Sequence, residues 1–248
     1  MDKIHIGTMG WSYNFWVGNF YPPETHASDY LTEYAKHFDT VEVDNTFYRI
    51  PSKATVKRWF DQTPSGFVFS LKFPRIITHV KMLKNCEKET NAFIRNVLSL
   101  DEKLGPLLLQ FPPAFGKNQF SLLEGFLANL PQKCRVAVEV RNKELLNDSF
   151  YSLFKRKKVA LAWVDSPFMP TADVVTADFL YVRWEGDRRK VNGLLGKVET
   201  DKSDDIEKWA NRIRQLLDGS MEVFGYFSKY YSGYPPTDTN HLLKLLRM

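Results

Sequence analysis

Charged side chains stand two residues apart where several short apolar segments of the chain end. Three such pairs occur: Glu42 and Asp44, Glu139 and Arg141, and Arg183 and Glu185. Because side chains alternate along a strand, the two members of each pair share a face. Carboxylates that lie among guanidinium groups can have their pKa values pushed apart, which suits general acid–base catalysis. Glu42 and Glu139 are therefore the candidate catalytic residues.

Other polar and aromatic residues near the same segment ends could hold a substrate. The candidate substrate-binding residues are Trp11, Tyr48, Lys72, Arg75, Gln110, Arg141, Asp165, Arg183 and Tyr226. The lysine and the arginines would bind an anionic group, and Trp11 and Tyr48 would stack on a ring. In an alternative interpretation the glutamates and arginines form only a structural ring of ion pairs, since burying them unpaired would be costly.

Eight apolar segments of strand length alternate with helical patterns along the chain. The predicted strands are Lys3–Gly7, Thr40–Asp44, Phe67–Lys72, Leu107–Phe111, Val136–Val140, Val159–Trp163, Phe179–Trp184 and Glu222–Phe227. The predicted helices are Lys53–Gln62, Cys86–Leu100, Gln119–Leu130, Ser203–Asp218, which Gly219 would stop, and Thr237–Leu246. This alternation in 248 residues predicts a single α/β domain over residues 1–248, a (β/α)8 TIM-type barrel.

The segment Asp165–Asp178 contains two prolines and no helical pattern, so we expect the barrel to be irregular between its sixth and seventh strands. An open, doubly wound sheet is the alternative fold. In a barrel, the loops that follow the strands build the active site at the carboxyl-end face. The candidate residues stand at strand ends, so we expect them to meet around one mouth.

The composition is that of a globular protein, with 44% hydrophobic and 25% charged residues. A formal net charge of +5 favours anionic partners mildly. No apolar run is long enough to span a membrane, and the start MDKIHIG lacks a signal-peptide pattern. Two cysteines cannot form a disulfide framework. These features predict a cytoplasmic protein without a membrane partner.

Several common catalytic and cofactor motifs are missing from the sequence. The segment Gly193–Lys197 lacks the first glycine of a phosphate loop, and Gly10–Asn14 lacks the last glycine of a serine-hydrolase elbow. Neither HExxH nor GxGxxG occurs. No cofactor is predicted. Glu42, Glu139 or Asp165 could ligate a divalent cation, but no further feature of the sequence supports one.

Seven segments, taken in order, resemble a known family. They are Gly7–Tyr13, Thr40–Tyr48, Phe69–His79, Leu104–Pro113, Val138–Arg141, Tyr181–Arg183 and Tyr226–Pro235. Together they resemble the YecE-like family, a domain of unknown function, from end to end of the chain. The resemblance implies a TIM-type barrel and no settled activity. This chain departs from the family pattern at Glu185, where members tend to have His, and at Ser228–Tyr230, where they tend to have Asn-Asn-His.

The residues and their expected convergence lead to one principal functional hypothesis. The chain is expected to be an enzyme that acts on a phosphate-containing ligand, a nucleotide or nucleic acid, at the carboxyl-end mouth of the barrel. One alternative is a glycoside hydrolase-like enzyme that uses paired carboxylates. A second alternative is a ligand-binding barrel without turnover, because barrels of this kind serve many unrelated functions.

Overall fold

The computed structural model describes residues 3–217 and 221–247. Its strands are β1 Ile4–Met9, β2 Thr40–Val43, β3 Val68–Lys72, β4 Leu104–Gln110, β5 Val136–Glu139, β6 Ala160–Leu161, β7 Trp163–Asp165, β8 Phe179–Trp184 and β9 Glu222–Phe227. Most are short runs of apolar, β-branched and aromatic residues that are buried along most of their length, as expected for a parallel sheet covered on both faces. The predicted bounds of the last two strands, Phe179–Trp184 and Glu222–Phe227, are those of β8 and β9 in the structure.

All strand pairs are parallel, and their order in the sheet is β6-β5-β4-β3-β2-β1-β9-β8-β7. Strand β1 pairs with both β2 and β9, which closes the first and last strands against each other and excludes the open doubly wound sheet. Only Ala162 separates β6 from β7, and its N–H donates to the carbonyl of Val138 at 2.9 Å. The predicted sixth strand is thus split in two. The result is an α/β barrel that is nearly closed at this seam.

Helices follow most strands and cover the outside of the barrel. They are α1 Tyr30–Tyr34, α2 Lys53–Asp61, α3 Glu87–Val97, α4 Phe120–Ala128, α5 Asp148–Lys157, α6 Ser203–Leu216 and α7 Pro235–Arg247. The sequence patterns predicted neither α1 nor α5. The predicted end of α6 at Asp218 and its stop at Gly219 lie outside the described residues. As expected, the segment 166–178 forms no helix.

Short helical turns join several of these elements. The 3-10 turns are Asn14–Trp16, Asp44–Phe47, Leu98–Lys103, Lys117–Gln119 and Lys143–Leu145. One π-helical turn, Ile76–Val80, follows β3. Two of these turns, Asp44–Phe47 and Ile76–Val80, contribute residues to the mouth of the barrel. Apart from Asp44, which directly follows β2, the residues of these turns do not continue the alternation of a strand, so their side-chain directions cannot be read from the sequence.

The interior of the barrel changes in polarity from its amino end to its carboxyl end. On β8, the side chains on the inner face run from Phe179 through Tyr181 to Arg183. On β9 the hydroxyl of Tyr226 lies 2.9 Å from that of Thr40 and 2.6 Å from that of Ser70. Apolar rings therefore fill the lower part of the barrel, hydroxyl groups the middle, and charged groups the mouth. Within the described residues, no helix is both long and apolar enough to cross a membrane.

Candidate functional site

A cavity of about 540 Å³ opens at the carboxyl end of the barrel. Strand ends and the loops after them supply its charged and titratable lining residues: Asp44, Lys72, His79, Glu139, Arg141, Arg183, Glu185 and Arg188. The strand-end charges do therefore converge on one mouth. Its position at this face is the usual place of active sites in TIM-type barrels.

Arg183 is the centre of the charged network. Its side chain is 1% exposed and is held by three glutamates from three places in the chain. Its Nε and Nη2 donate to Glu42 at 3.0 and 2.8 Å, and its Nη1 donates to both Glu139 and Glu185. A buried guanidinium needs such partners, because an uncompensated buried charge is strongly destabilising. The structural ring of ion pairs therefore exists, and it also forms part of the cavity wall.

Arg141 links the same carboxylates at the surface of the cavity. Its Nε donates to Glu139 at 2.8 Å, and its Nη2 lies 3.0 Å from each carboxylate oxygen of Glu185. With 36% of its side chain exposed, Arg141 still faces solvent. It can therefore contact a ligand in the cavity, whereas the fully buried Arg183 has its donors engaged by protein groups.

A glycine directs the chain where Glu185 reaches the cavity. Gly186 has a φ of +67°, and a Cβ at this position would lie 2.1 Å from the carbonyl oxygen of Tyr230. Both effects restrict the position to glycine. The N–H groups of Glu185 and Gly186 donate to the carbonyl of Asp165, at 3.0 and 3.2 Å. The backbone thus turns sharply here and keeps Glu185 beside Arg183.

The two glutamates predicted to be catalytic have pKa values displaced in opposite directions. Burial, with Asp44 nearby, raises the pKa of Glu42 to about 7 in spite of Arg183. Burial alone would also raise the pKa of Glu139, but the charges of Arg183, Arg141 and Lys72 lower it to about 2. Glu42 also accepts a hydrogen bond of 2.7 Å from Tyr181. The network therefore separates one readily protonated carboxyl from one that stays ionised.

Lys72 stands at the end of β3, which only β4 separates from the β5 strand that precedes Arg141. Its Nζ stands 4.5 Å from the ring centre of Phe47 and 3.8 Å from Oδ1 of Asp44. The second distance is too long for a hydrogen bond. Asp44 Oδ1 is itself buried and accepts no hydrogen bond from the described residues. The cavity thus contains an ammonium group and a carboxylate oxygen that form an ion pair without a hydrogen bond.

His79 adds a neutral imidazole to the cavity. It lies in the π-helical turn after β3, where its Nδ1 is 2.9 Å from the hydroxyl of Thr78. Burial, together with the positive charges of Lys72, Arg141 and Arg75, lowers its pKa to about 4. His79 is not among the catalytic or substrate-binding residues predicted from the sequence. At neutral pH this imidazole is uncharged and can accept or donate one proton.

The structure brings together five of the predicted site residues on the cavity wall: Lys72, Gln110, Glu139, Arg141 and Arg183. Two others lie beneath it in the barrel. Glu42 is fully buried against Arg183 and Tyr181, and Tyr226 bonds to Thr40 and Ser70. Glu42 therefore acts on the cavity through Arg183 and not by direct contact.

Four predicted residues lie outside the cavity. Trp11 is buried with its ring edge-on to Trp59 of α2, and Tyr48 is 79% exposed. Arg75 is exposed beyond the end of β3. Asp165 accepts hydrogen bonds from Trp209 at 2.7 Å and Tyr231 at 3.2 Å, because it stands on the face of β7 opposite to the inward-facing Val164. None of these four side chains contributes to the cavity wall.

The residues missed as candidates are Asp44, His79, Glu185 and Arg188. Strand alternation carries a signal for two of them, because Asp44 shares a face with Glu42 and Glu185 with Arg183. His79 and Arg188 lie in turns, where alternation gives no direction. Across residues 3–217 and 221–247, no three His, Cys, Asp or Glu side chains are grouped to hold a metal ion.

The fold and its charged cavity define an α/β barrel with a candidate active site at its carboxyl end. Comparison with protein families is more specific. A model described as "Protein of unknown function DUF72" matches residues 5–248. The chain therefore belongs to the DUF72 family, which confirms the YecE-like resemblance of its sequence motifs.

Named relatives and solved structures agree with this assignment. The UPF0759 protein YecE of Escherichia coli K12 is 35% identical over 141 residues, which are 57% of this chain and 49% of that protein, so the match spans about half of the relative's length. The UPF0759 protein YunF of Bacillus subtilis is 25% identical, and the match covers 98% of this chain and 94% of the length of YunF. A crystal structure of a DUF72 family protein from Thermotoga maritima has a TM-score of 0.84 at 24% identity and 99% coverage of both chains. A second, from Enterococcus faecalis, has a TM-score of 0.80 at 22% identity, covering 99% of this chain and 96% of the other. These structures show the same fold.

Proposed function

We propose that this chain is an enzyme that binds a phosphate-containing ligand in the mouth cavity and acts on it by acid–base catalysis. The observation that carries the proposal is the convergence of Lys72, Arg141 and Arg188 on one cavity that also contains carboxylates and a neutral histidine. Arg141 keeps an exposed edge, and Lys72 has no hydrogen-bonded carboxylate partner at its Nζ among the described residues. Such cations favour a phosphate group through charge-assisted hydrogen bonds.

The residue roles follow from which groups reach the cavity. Arg141 and Arg188 are the phosphate contacts, and Lys72 adds positive charge from the end of β3. Arg183 positions Glu139 and Glu185 at the cavity, while Glu42 positions Arg183 from below. Glu139, Glu185 and the neutral imidazole of His79 are the groups available for proton transfer. This assignment replaces Glu42 with Glu185 as the second carboxylate of the site.

Titration with anions tests the binding part of the proposal. We expect inorganic phosphate and nucleoside phosphates to bind, and their affinity to fall as the salt concentration rises. Replacing Arg141 with Met should weaken phosphate binding roughly 10- to 100-fold, since hydrogen bonds to charged groups contribute about 1.5–3 kcal/mol. Arg156→Met, on the outer face of α5, is the matched control and should leave the affinity unchanged. Absence of binding, or binding insensitive to salt, would contradict the proposal.

Short oligonucleotides distinguish a nucleic-acid ligand from a small phosphate ester. A nucleic-acid substrate should bind more tightly than the mononucleotide, and its affinity should fall more steeply with salt, because more phosphates are contacted. Equal affinities would assign the cavity to a single phosphate group. Isothermal titration of a mononucleotide and an oligonucleotide of the same base supplies the comparison.

Glu139→Gln separates an enzyme from the non-catalytic alternative. If the protein is an enzyme, this variant should turn over a phosphate ester more slowly than the parent protein. If it is a binding barrel, the variant should keep its affinity for phosphate, and neither protein should convert a phosphate ester to product. The glycosidase alternative predicts release of nitrophenol from aryl glycosides. The arrangement favours it less, because Glu42 does not reach the cavity and Glu139, with a pKa of about 2, is a poor proton donor.

A further inference from the structure

Among the described residues, Lys103 and Lys72 have side chains that are largely withdrawn from water, and they differ in their partners. Lys103, which is 3% exposed, donates to the carbonyls of Phe60 and Thr63 at 2.6 and 2.7 Å and to the hydroxyl of Thr63 at 3.2 Å. Its ammonium group is therefore fully engaged at the end of α2. Lys72 has 12% of its side chain exposed, and none of the described residues accepts a hydrogen bond from its Nζ. A lysine that is sheltered but unbonded can react with a ligand.

The surroundings of Lys72 suit a reaction at its amine. The ring of Phe47 shields one side of Nζ, at 4.5 Å from the ring centre. Asp44 Oδ1 is a buried oxygen that lies 3.8 Å both from Lys72 Nζ and from Arg183 Nη2, and it accepts no hydrogen bond from the described residues. A tetrahedral carbon bonded to Nζ would place its hydroxyl group within reach of this oxygen. Asp44 is therefore placed to receive and return protons as bonds to Nζ form and break.

We propose that Lys72 forms a Schiff base with a small aldehyde or ketone that carries a phosphate group. The Lys72 ammonium group first transfers one proton to the Asp44 carboxylate, and the neutral amine then attacks the carbonyl carbon. A second proton moves from the nitrogen to the former carbonyl oxygen, which gives a neutral carbinolamine. Asp44 returns its proton to the departing hydroxyl group, so that one water leaves and a protonated imine remains. No oxidant or reductant is required, and hydrolysis of the imine restores the lysine.

This inference rests on the proposed function, because it uses the same cavity and assigns its phosphate to Arg141 and Arg188. Those two cations lie on the wall formed after β5 and β8, while Lys72 and Asp44 come from β3 and the turn after β2. A ligand with a phosphate at one end and a carbonyl group at the other can therefore contact both walls. The inference narrows the ligand class from phosphate esters in general to phosphate-bearing carbonyl compounds.

Reductive trapping tests the imine. The protein is incubated with dihydroxyacetone phosphate and sodium borohydride, and the adduct is mapped by mass spectrometry of the intact chain and its peptides. We expect one adduct per chain, at Lys72, formed at least tenfold faster than with dihydroxyacetone, which has the carbonyl group but lacks the phosphate. Glyceraldehyde 3-phosphate is the matched aldehyde probe. Adducts spread over surface lysines at equal rates, with none concentrated at Lys72, would overturn the inference.

Variants test the role of the Lys72 amine and the role of the Asp44 carboxylate separately. Lys72→Arg keeps the positive charge but should abolish the mapped adduct, and Lys72→Met should do the same. Asp44→Asn should slow trapping tenfold or more while phosphate affinity stays within about twofold. Lys57→Arg, on the exposed face of α2, is the control and should trap like the parent protein. Unchanged trapping in Asp44→Asn would refute the role of Asp44.

The same measurements distinguish the failure of each proposal. If inorganic phosphate binds and Arg141→Met weakens it, but no adduct forms at Lys72, the cavity binds phosphate and the Schiff-base inference is wrong. If neither phosphate binding nor trapping occurs, the proposed function itself is wrong. Thermal unfolding of each variant confirms that the protein is folded, and if Lys72→Met does not fold, Lys72→Arg alone decides.

Discussion

The two ends of the barrel use the same kinds of side chain in different surroundings. At the mouth, glutamates and arginines from several strands surround a cavity of about 540 Å³. At the amino end, His5 lies 3.1 Å from Asp39 and 3.4 Å from Glu222, and Glu222 also pairs with Arg135. The guanidinium of Arg135 lies 4.3 Å from the ring centre of Phe179 and 4.9 Å from that of Phe224.

The comparison shows that charge convergence alone does not define a site. The amino-end cluster packs on aromatic rings, so its ion pairs stabilise the closure of β1 against β9. The mouth cluster faces open space, so its charges remain available to a ligand. This division agrees with the general pattern of TIM-type barrels, in which the amino end serves stability and the carboxyl end serves function.

The largest expected effect comes from removing the central cation of the mouth. Arg183→Met should lower the free energy of unfolding by about 3–5 kcal/mol, because it leaves buried carboxylates without a partner. Arg135→Met at the amino end should cost about 1 kcal/mol or less, since that side chain is 34% exposed. Urea unfolding of both variants measures the difference. Equal losses would show that the two clusters do not differ in this way.

The pH dependence of stability should also separate the two ends. The pKa of Glu42 is raised from 4.5 to about 7 by burial, so its contribution to stability is present below pH 4.5 and is lost towards pH 7. The lowered pKa of His79 acts in the opposite direction, because its contribution is absent below pH 4 and is gained towards pH 6.5. Burial alone would lower the pKa of His5, but Asp39 and Glu222 raise it from 6.5 to about 9, so its contribution is present below pH 6.5 and is lost towards pH 9.

Two variants assign these pH windows. Relative to the parent protein, Glu42→Gln should remove the loss of stability between about pH 4.5 and 7, and His5→Gln the loss between about pH 6.5 and 9, each by at most about 3 kcal/mol. Unfolding free energies between pH 4 and 9.5 supply the measurement. If either variant removed both losses, the two ends would titrate as one system, against the separation described here.

A smaller effect is expected at Lys103, which precedes β4 on the amino-end side. Lys103→Met should lower the unfolding free energy by about 1.5–3 kcal/mol, because the carbonyls of Phe60 and Thr63 lose a charged donor. Lys72→Met should cost less than 1 kcal/mol, because that ammonium donates no hydrogen bond to the described residues. Urea unfolding compares the two lysines directly. A larger loss for Lys72→Met would show that its ammonium group serves stability.

Strand alternation explains how much of the architecture and the site could be predicted. The apolar segments predicted the barrel fold and placed Glu139, Arg141 and Arg183 at strand ends. All three residues line the cavity at the mouth. Alternation also explains why Asp165 lies outside the cavity: Ala160, Ala162 and Val164 face the interior, so Asp165 must face outwards. The position of Asp165, an odd number of residues after Ala160, could be counted in the sequence, but the predicted sixth strand ended at Trp163, before Asp165.

Other site residues could not be placed because they lie beyond the strands. Arg75 and His79 follow β3 through a π-helical turn, and only the folded turn shows that His79 faces the cavity while Arg75 does not. The cluster of aromatic residues in the first loop is compatible both with stacking on a ligand and with packing of the loop itself. The structure shows packing for Trp11 against Trp59. The helix α1, of five residues, is too short for a periodic pattern.

The split sixth strand has a consequence for the wall of the mouth. Strand β6 pairs over two residues with β5, and β7 pairs over three with β8, so this joint has fewer interstrand hydrogen bonds than the pairing of β8 with β9, which extends over six residues. Ser166, Phe168 and Met169 follow directly and form one wall of the cavity. The wall formed by Ser166, Phe168 and Met169 therefore follows the seam at which the sheet is not closed, whereas Arg183 lies in a strand that is paired on both sides, with β7 and with β9.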